Sequence, residues 1–302
     1  MVFHNLFKKQ YWYIAKRLST AQLQREPESG LKLSDEDFFN LDIGKRGHDY
    51  FLGYYSKSGL DLVFKKYGVY REFAQRGFRN IDFMIDTIDP YRHRLTVYDV
   101  SRETRRMLVE LILKKSIIKI NMPFETPLNG KEFETLAIEW LCMQNPDAPF
   151  TGNRPQYPGQ NHPGLGMASR AVELLLISAW RLNMAGLVNI PDHYHNAYLY
   201  SRIFHYIQPQ DEARLLAMAR DLKAYDLHTI AWAMMAEAVI DSETGKPVQW
   251  FVAKQITPLD EGLKGLFNSR IYRNTIKENC KRFHYELNEE KYNQYISDRR
   301  NK

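Results

Sequence analysis

The run Pro163-Gly164-Leu165-Gly166-Met167-Ala168 leads straight into a helical stretch rich in apolar residues, Ser169–Asn183. Two glycines at i and i+2 let the backbone turn tightly and approach a ligand, because no Cβ stands in the way. The first amides of a helix have no partner within it. Together with the helix dipole they make a site for phosphate or pyrophosphate. No Lys-Ser/Thr pair follows the second glycine, and no third glycine stands three residues on from it, so neither the P-loop nor the dinucleotide fingerprint is present. The same residues also suit a plain turn that starts a helix.

A second group is His193-Tyr194-His195, with Asp192 beside it and His162 and His205 nearby in sequence. On an extended segment His-x-His puts both rings on one face, a common metal geometry. No third ligand stands at a characteristic spacing, and no metal is expected. Polar lining of an acceptor cleft and ordinary hydrogen-bonded histidines are the other readings. Asp86, Asp89 and Tyr91-Arg92-His93-Arg94 form a further polar knot, in which Arg92 or Arg94 is expected to pair with Asp89. Cys142 lies in an apolar stretch and no Gly-x-Ser-x-Gly elbow exists, which argues against nucleophilic catalysis.

These residues need elements to position them. Leu95 and Val97 alternate with polar neighbours over His93–Asp99, and Met107, Val109, Leu111 and Leu113 share one face, so both stretches read as strands. Ile117–Ile120 reads as another. Asn129-Gly130 is a hairpin-type turn before Phe133–Met143, which fits strand or helix spacing and is read as a strand. The loop Asn145–Pro163 carries five prolines; a loop this long inside a compact domain is more often functional. Arg170, Glu173, Ser178 and Arg181 form one stripe of the following helix, and its wide apolar remainder calls for burial against a sheet. Gly186–Pro191 then reads as a short buried strand. Asn196–Tyr206, Ala213–Tyr225 and Thr229–Val239 read as helices, and the last forty residues as a helical tail. The N-terminal residues Val2, Phe3, Leu6, Phe7 and Tyr11 would share the face of a basic amphipathic helix packed on the protein body. Residues 20–60 are polar and turn-rich.

The order strand, glycine loop, buried helix, short strand, aromatic helix, with Asn161-His162-Pro163-Gly164-Leu165-Gly166 and later Leu199-Tyr200, resembles the GNAT superfamily of N-acetyltransferases over about residues 80–208. That family carries a (Gln/Arg)-x-x-Gly-x-(Gly/Ala) loop, and later an Asn and a Leu-Tyr pair. The resemblance implies an α/β (α+β) fold: a mixed, mostly antiparallel sheet with helices on both faces. A core at 79–210 would lie between a helical N-terminal extension, 1–78, and a mainly helical C-terminal one, 211–302. It also implies acetyl-CoA or another acyl-CoA as cosubstrate and an amine acceptor. The amides after Gly164, on Leu165, Gly166, Met167 and Ala168, would bind the pyrophosphate, with Asn196 adding to the cofactor site. Tyr200 would protonate the leaving thiolate, as a neutral phenol can. Glu139, on the preceding strand, would deprotonate the amine, and His193 would stand in the catalytic cleft, in register where the family has its Asn. The chain departs from the pattern at Asn161, in place of Gln or Arg, at Phe204-His205, in place of Gly-Phe, and in the length of the Pro-rich loop.

Composition bounds the alternatives. The chain has 302 residues, 44% hydrophobic and 26% charged, which argues against wholesale disorder. Two cysteines cannot build a disulfide framework, and the protein is read as cytoplasmic. The net charge of +6 is spread along the chain without a concentrated basic stripe, so no nucleic-acid partner is expected. No stretch is apolar enough for a membrane span. A homodimer is left open. A non-catalytic protein of related architecture that binds a partner is the alternative to an enzyme. Aromatics reach 13%, and many cluster near the proposed site: Trp140, Phe150, Tyr157, Tyr194, Tyr198, Tyr200, Phe204 and Tyr206.

Overall fold

The computed structural model describes residues 9–25 and 50–300. The expected apolar face at Val2, Phe3, Leu6 and Phe7, and most of the polar 20–60 stretch, lie outside these residues. The protein is α/β, with one seven-stranded, mostly antiparallel sheet, a two-stranded sheet and helices. No helix among the described residues is long and apolar enough to cross a membrane.

The strands of the large sheet run β1 (Ile81–Asp89), β2 (Arg92–Asp99), β3 (Arg106–Lys119), β4 (Glu132–Met143), β5 (Gly186–Asn189), β8 (Gln255–Pro258) and β6 (His205–Tyr206), in that spatial order. The small sheet pairs β7 (Val239–Asp241) with β9 (Tyr285–Leu287). The chain forms two compact units, each drawn from three stretches. One holds residues 1–115, 137–147 and 164–183, the other 116–136, 148–163 and 184–302, so β3 and β4 contribute to both.

In the first unit, α1 (Lys9–Arg17), α2 (Thr20–Leu23), α3 (Lys57–Lys66) and α4 (Val69–Gln75) precede β1 and β2, and α5 (Ala168–Arg181) completes it. The polar stripe of α5 holds α1, α4 and the segment before α3. Arg170 pairs with Glu72, Ser178 Oγ accepts from Tyr55 Oη at 3.2 Å, and Arg181 donates to the carbonyls of Ala15 and, at 3.1 Å, Leu18. Val172, Leu175, Leu176, Ile177 and Ala179 are buried, as the apolar breadth of the helix demands.

In the second unit, α6 (Tyr194–Tyr200), α7 (Pro209–Asp221) and α8 (Leu227–Met235) pack around Tyr194, Tyr206, Leu215, Met218 and Ile230. The segment after β8 adds α9 (Glu261–Phe267), α10 (Arg270–Cys280) and α11 (Glu289–Arg300).

Four expectations change. Ile117–Ile120 is no separate strand, because β3 runs on without a turn to Lys119. The aromatic helix stops at Tyr200, where the Ile203 and Phe204 amides fold back onto its carbonyl, and His205-Tyr206 pair with Ile256 and Gln255 as β6. The helix expected to reach Val239 ends at Met235, and Val239 joins β7. The C-terminal tail is interrupted by β9.

Candidate functional site

The glycine loop belongs to the first unit. Gly164 bridges to Gln144 just past the end of β4, and the Leu165 amide donates to the Met143 carbonyl at 3.2 Å. That bond consumes the Leu165 N–H, so Leu165 cannot offer it to a pyrophosphate. Gly166 takes φ +69°, the left-handed region that favours glycine. Arg76 then fixes the loop from one side: its Nε donates to the Leu165 carbonyl at 2.5 Å and its Nη2 to that of Gly166 at 3.4 Å. Glu72 orients Arg76 in turn, at 2.8 Å, and also receives Arg170. These two cations hold the Glu72 carboxyl below its ordinary pKa against the opposing effect of burial.

With the loop carbonyls tied to Arg76, its remaining amides lead into an uncapped helix. Met167 is the N-cap of α5 and makes no side-chain capping bond, and the first intrahelical bond is donated by Ala171 to Met167. Ala168, Ser169 and Arg170 therefore have no acceptor within the helix. Gly166 and Ala168 are exposed. Of the expected loop amides, those of Gly166, Met167 and Ala168 have no acceptor in the helix or loop among the described residues, and Arg76, which holds the loop carbonyls, lies about ninety residues away, where sequence could not point to it.

Three other expected residues, His193, Asn196 and Tyr200, belong to the second unit. His193, the N-cap of α6, and Asn196 and Tyr200 fall at i, i+3 and i+7, and so share one helix face, each half-buried. Burial raises the Tyr200 phenol pKa, which keeps it protonated. His193 stacks on His195, with centroids 5.4 Å apart and planes at 12°, and Tyr157 stacks on His195 at 4.8 Å. Gly159 permits this approach, since a Cβ there would lie 3.1 Å from His193 Nε2. Burial, with His193 a lesser cause, depresses the His195 pKa to about 4. Stacked rings in nearly parallel planes do not converge on one ion, and no group of three or more metal-ligating side chains occurs among the described residues.

The Pro-rich loop thus supplies part of this wall. Its Gln156 carbonyl accepts from Trp232 Nε1 at 2.9 Å and lies 3.1 Å from His228 Nε2, while Arg299 donates to the Gln156 side chain at 2.6 Å and sits 3.6 Å over the Trp232 ring. Sequence flagged the loop by its length and prolines but gave no sign of His228, Trp232 or Arg299 as its partners.

Glu139 sits in the first unit, on β4, where its carboxylate pairs with Arg92 and, at 3.7 Å, with Lys114. Arg92 and Lys114 face each other across β2 and β3, and like charges so placed repel, so Glu139 offsets that repulsion. This corrects the expected pairing of the polar knot: Arg92 binds Glu139, Arg94 binds Glu110 at 3.4 Å, and Asp89 accepts the Tyr91 amide at 2.9 Å within the β1–β2 turn. Cys142 is half-buried on β4, and burial pushes its thiol up, away from nucleophilic character.

Beneath α5 the first unit also contains an apolar cavity of about 120 Å³, walled by Val97, Val109, Leu141, Met143, Ala171 and Leu174 among others.

No protein-family model matches the chain, and neither a curated protein nor a solved structure matches it.

Proposed function

We propose that the protein is an acyl-CoA-dependent N-acyltransferase with a GNAT-like core. It would transfer an acyl group, acetyl in the simplest case, to an amine acceptor. The observation that carries this reading is the loop Gly164–Ala168: its carbonyls are drawn to Arg76, and its amides continue into the uncapped N-terminus of α5. The order of elements from β4 through α5 and β5 to α6 supports it.

In this reading the amides of Gly166, Met167 and Ala168 hold the pyrophosphate. The amine nitrogen attacks the thioester carbonyl carbon, the C–S bond breaks, and the departing sulfur takes the Tyr200 proton. The proton lost by the amine goes to His193, which shares the Tyr200 face of α6. Glu139 is less suited to that role, because two cations already engage its carboxylate. Asn196, between His193 and Tyr200, orients the cosubstrate.

Steady-state transfer assays on Tyr200→Phe test the reading. The variant should lose about 100-fold or more in kcat, the usual scale for a removed general acid, with acyl-CoA binding little changed. Unchanged turnover would remove Tyr200 from the mechanism. Acyl-CoA binding without transfer to any amine would favour the non-catalytic alternative.

A further inference from the structure

In the second unit a surface cleft of about 770 Å³ lies between the start of α7 and one face of α10. This volume falls within the range of small-molecule sites, about 300–1,000 Å³. Gln208, Gln210, Arg270, Asn274, Asn279 and Arg282 are among the residues that line it. The α10 stretch from Ile271 to Asn279 gives it a length of about 12 Å, at about 1.5 Å per residue.

Most arginines around it are spent on the protein itself. Arg220 grips Asp221 and the carbonyls of Cys280 and Phe283, Arg273 donates to the Asn268 carbonyl, and Arg214 lies over the Phe251 and Phe283 rings. Arg270 and Arg282 differ. Both are exposed, both line the cleft, and neither makes an ion pair or side-chain hydrogen bond with any described residue. Glu278 is the cleft's one acidic side chain, and Lys281 already neutralises it at 2.9 Å. The cleft is therefore net positive, with two unused guanidinium forks and several carboxamides.

We propose that this cleft binds a phosphorylated small molecule of nucleotide size. The planar guanidinium matches phosphate oxygens in a bidentate way that a lysine cannot. The carboxamides of Gln210 and Asn274 supply paired donors and acceptors for the uncharged remainder of such a ligand. Two arginines at one cleft of this volume favour a small molecule over a nucleic-acid strand, which needs a basic surface extending along its backbone. The site is separate in sequence from the glycine loop and does not depend on the acyltransferase reading.

Calorimetric titration of the full chain with ADP, adenosine and a single-stranded oligonucleotide tests this. ADP should bind at least about tenfold more tightly than adenosine, and Arg270→Gln/Arg282→Gln should weaken ADP at least about tenfold. Asn274→Asp, which adds a carboxylate to the same exposed wall, should weaken it in the same direction and serves if the double variant misfolds. Gly166→Asp, which would remove any ADP held through its pyrophosphate at the glycine loop, should leave the binding that depends on Arg270 and Arg282 intact, which separates the cleft from the glycine loop. Absence of saturable ADP binding, an unchanged affinity in both cleft variants, loss of ADP binding in Gly166→Asp alone, or tighter binding of the oligonucleotide would each overturn the proposal.

Discussion

At the scale of single residues, two buried titratable groups pull stability in opposite directions with pH. His195 is 3% exposed, its Nδ1 finds no hydrogen-bond partner among the described residues, and its pKa falls from the ordinary 6.5 to about 4. The unfolded chain therefore takes up this proton first, and folding stability is lost as pH drops from about 6.5 to about 4. Glu212 behaves conversely. Burial raises its pKa from 4.5 to about 7, although the Tyr206 amide donates to it at 2.7 Å. The unfolded chain releases that proton first, so stability is lost as pH rises from about 4.5 to about 7. Glu212→Gln keeps the acceptor for Tyr206 and removes the charge. Its melting temperature should exceed that of the wild type at pH 8, with the gap closing toward pH 4.5. His195→Phe keeps a ring in the stack and should gain on the wild type as pH falls through the acid window. Parallel melting curves across pH for both variants would contradict these assignments. Neither group was legible in the sequence as perturbed, because burial at these positions is decided by what packs over them. The Tyr200 phenol was legible as a candidate acid through its Leu-Tyr context, and its burial suits a protonated donor.

At the scale of elements, α5 carries the most weight. Its N-terminus ends the glycine loop, its polar stripe binds the N-terminal helices, and its underside roofs the apolar cavity. Ala171 lines that cavity within the helix, so Ala171→Leu adds three carbons where space exists and keeps a strong helix former. The variant should be more stable by about 1 kcal/mol, read as a higher midpoint in urea at unchanged slope. A lower midpoint would mean that the space cannot take a branched side chain. The existence of α5 was plain from its apolar breadth, and the β2 and β3 strands from alternation; β4 fits strand and helix spacing alike, and the Asn129-Gly130 turn before it favours the strand. What the sequence concealed were elements defined by a distant partner. β6 is two residues long and exists because Tyr206 meets Gln255; local spacing alone extends the preceding helix through it. β8 lies between β5 and β6, although it follows both in the chain by about fifty residues or more. β1 carries Asp82, Asp86 and Asp89, which masked the strand that Phe83 anchors in the core.

At the scale of the whole molecule, sequence-local motifs were kept but their company was not readable. The loop Gly164–Ala168 folds as a turn into a helix, yet Arg76 and Glu72, which hold it, come from α4 and the turn after it. The Pro-rich loop is ordered by Trp232, His228 and Arg299, from α8 and α11. Such contacts join residues about seventy to one hundred and forty positions apart, and neither propensity nor periodicity carries information over that range. The aromatic excess has a similar explanation: Tyr194 and Phe204 are core, Tyr157 extends the histidine stack, and Tyr200 remains the aromatic with a chemical role in the proposed mechanism. The central claim is that the loop after β4 holds the pyrophosphate of an acyl-CoA. Calorimetric titration of the full chain with acetyl-CoA and longer acyl-CoAs, on wild type and Gly166→Asp, tests it most directly. The account predicts saturable binding by the wild type and its loss in the variant, whose new carboxylate and strained backbone both oppose the anion. No binding of any acyl-CoA, or equal binding by the two proteins, would contradict it.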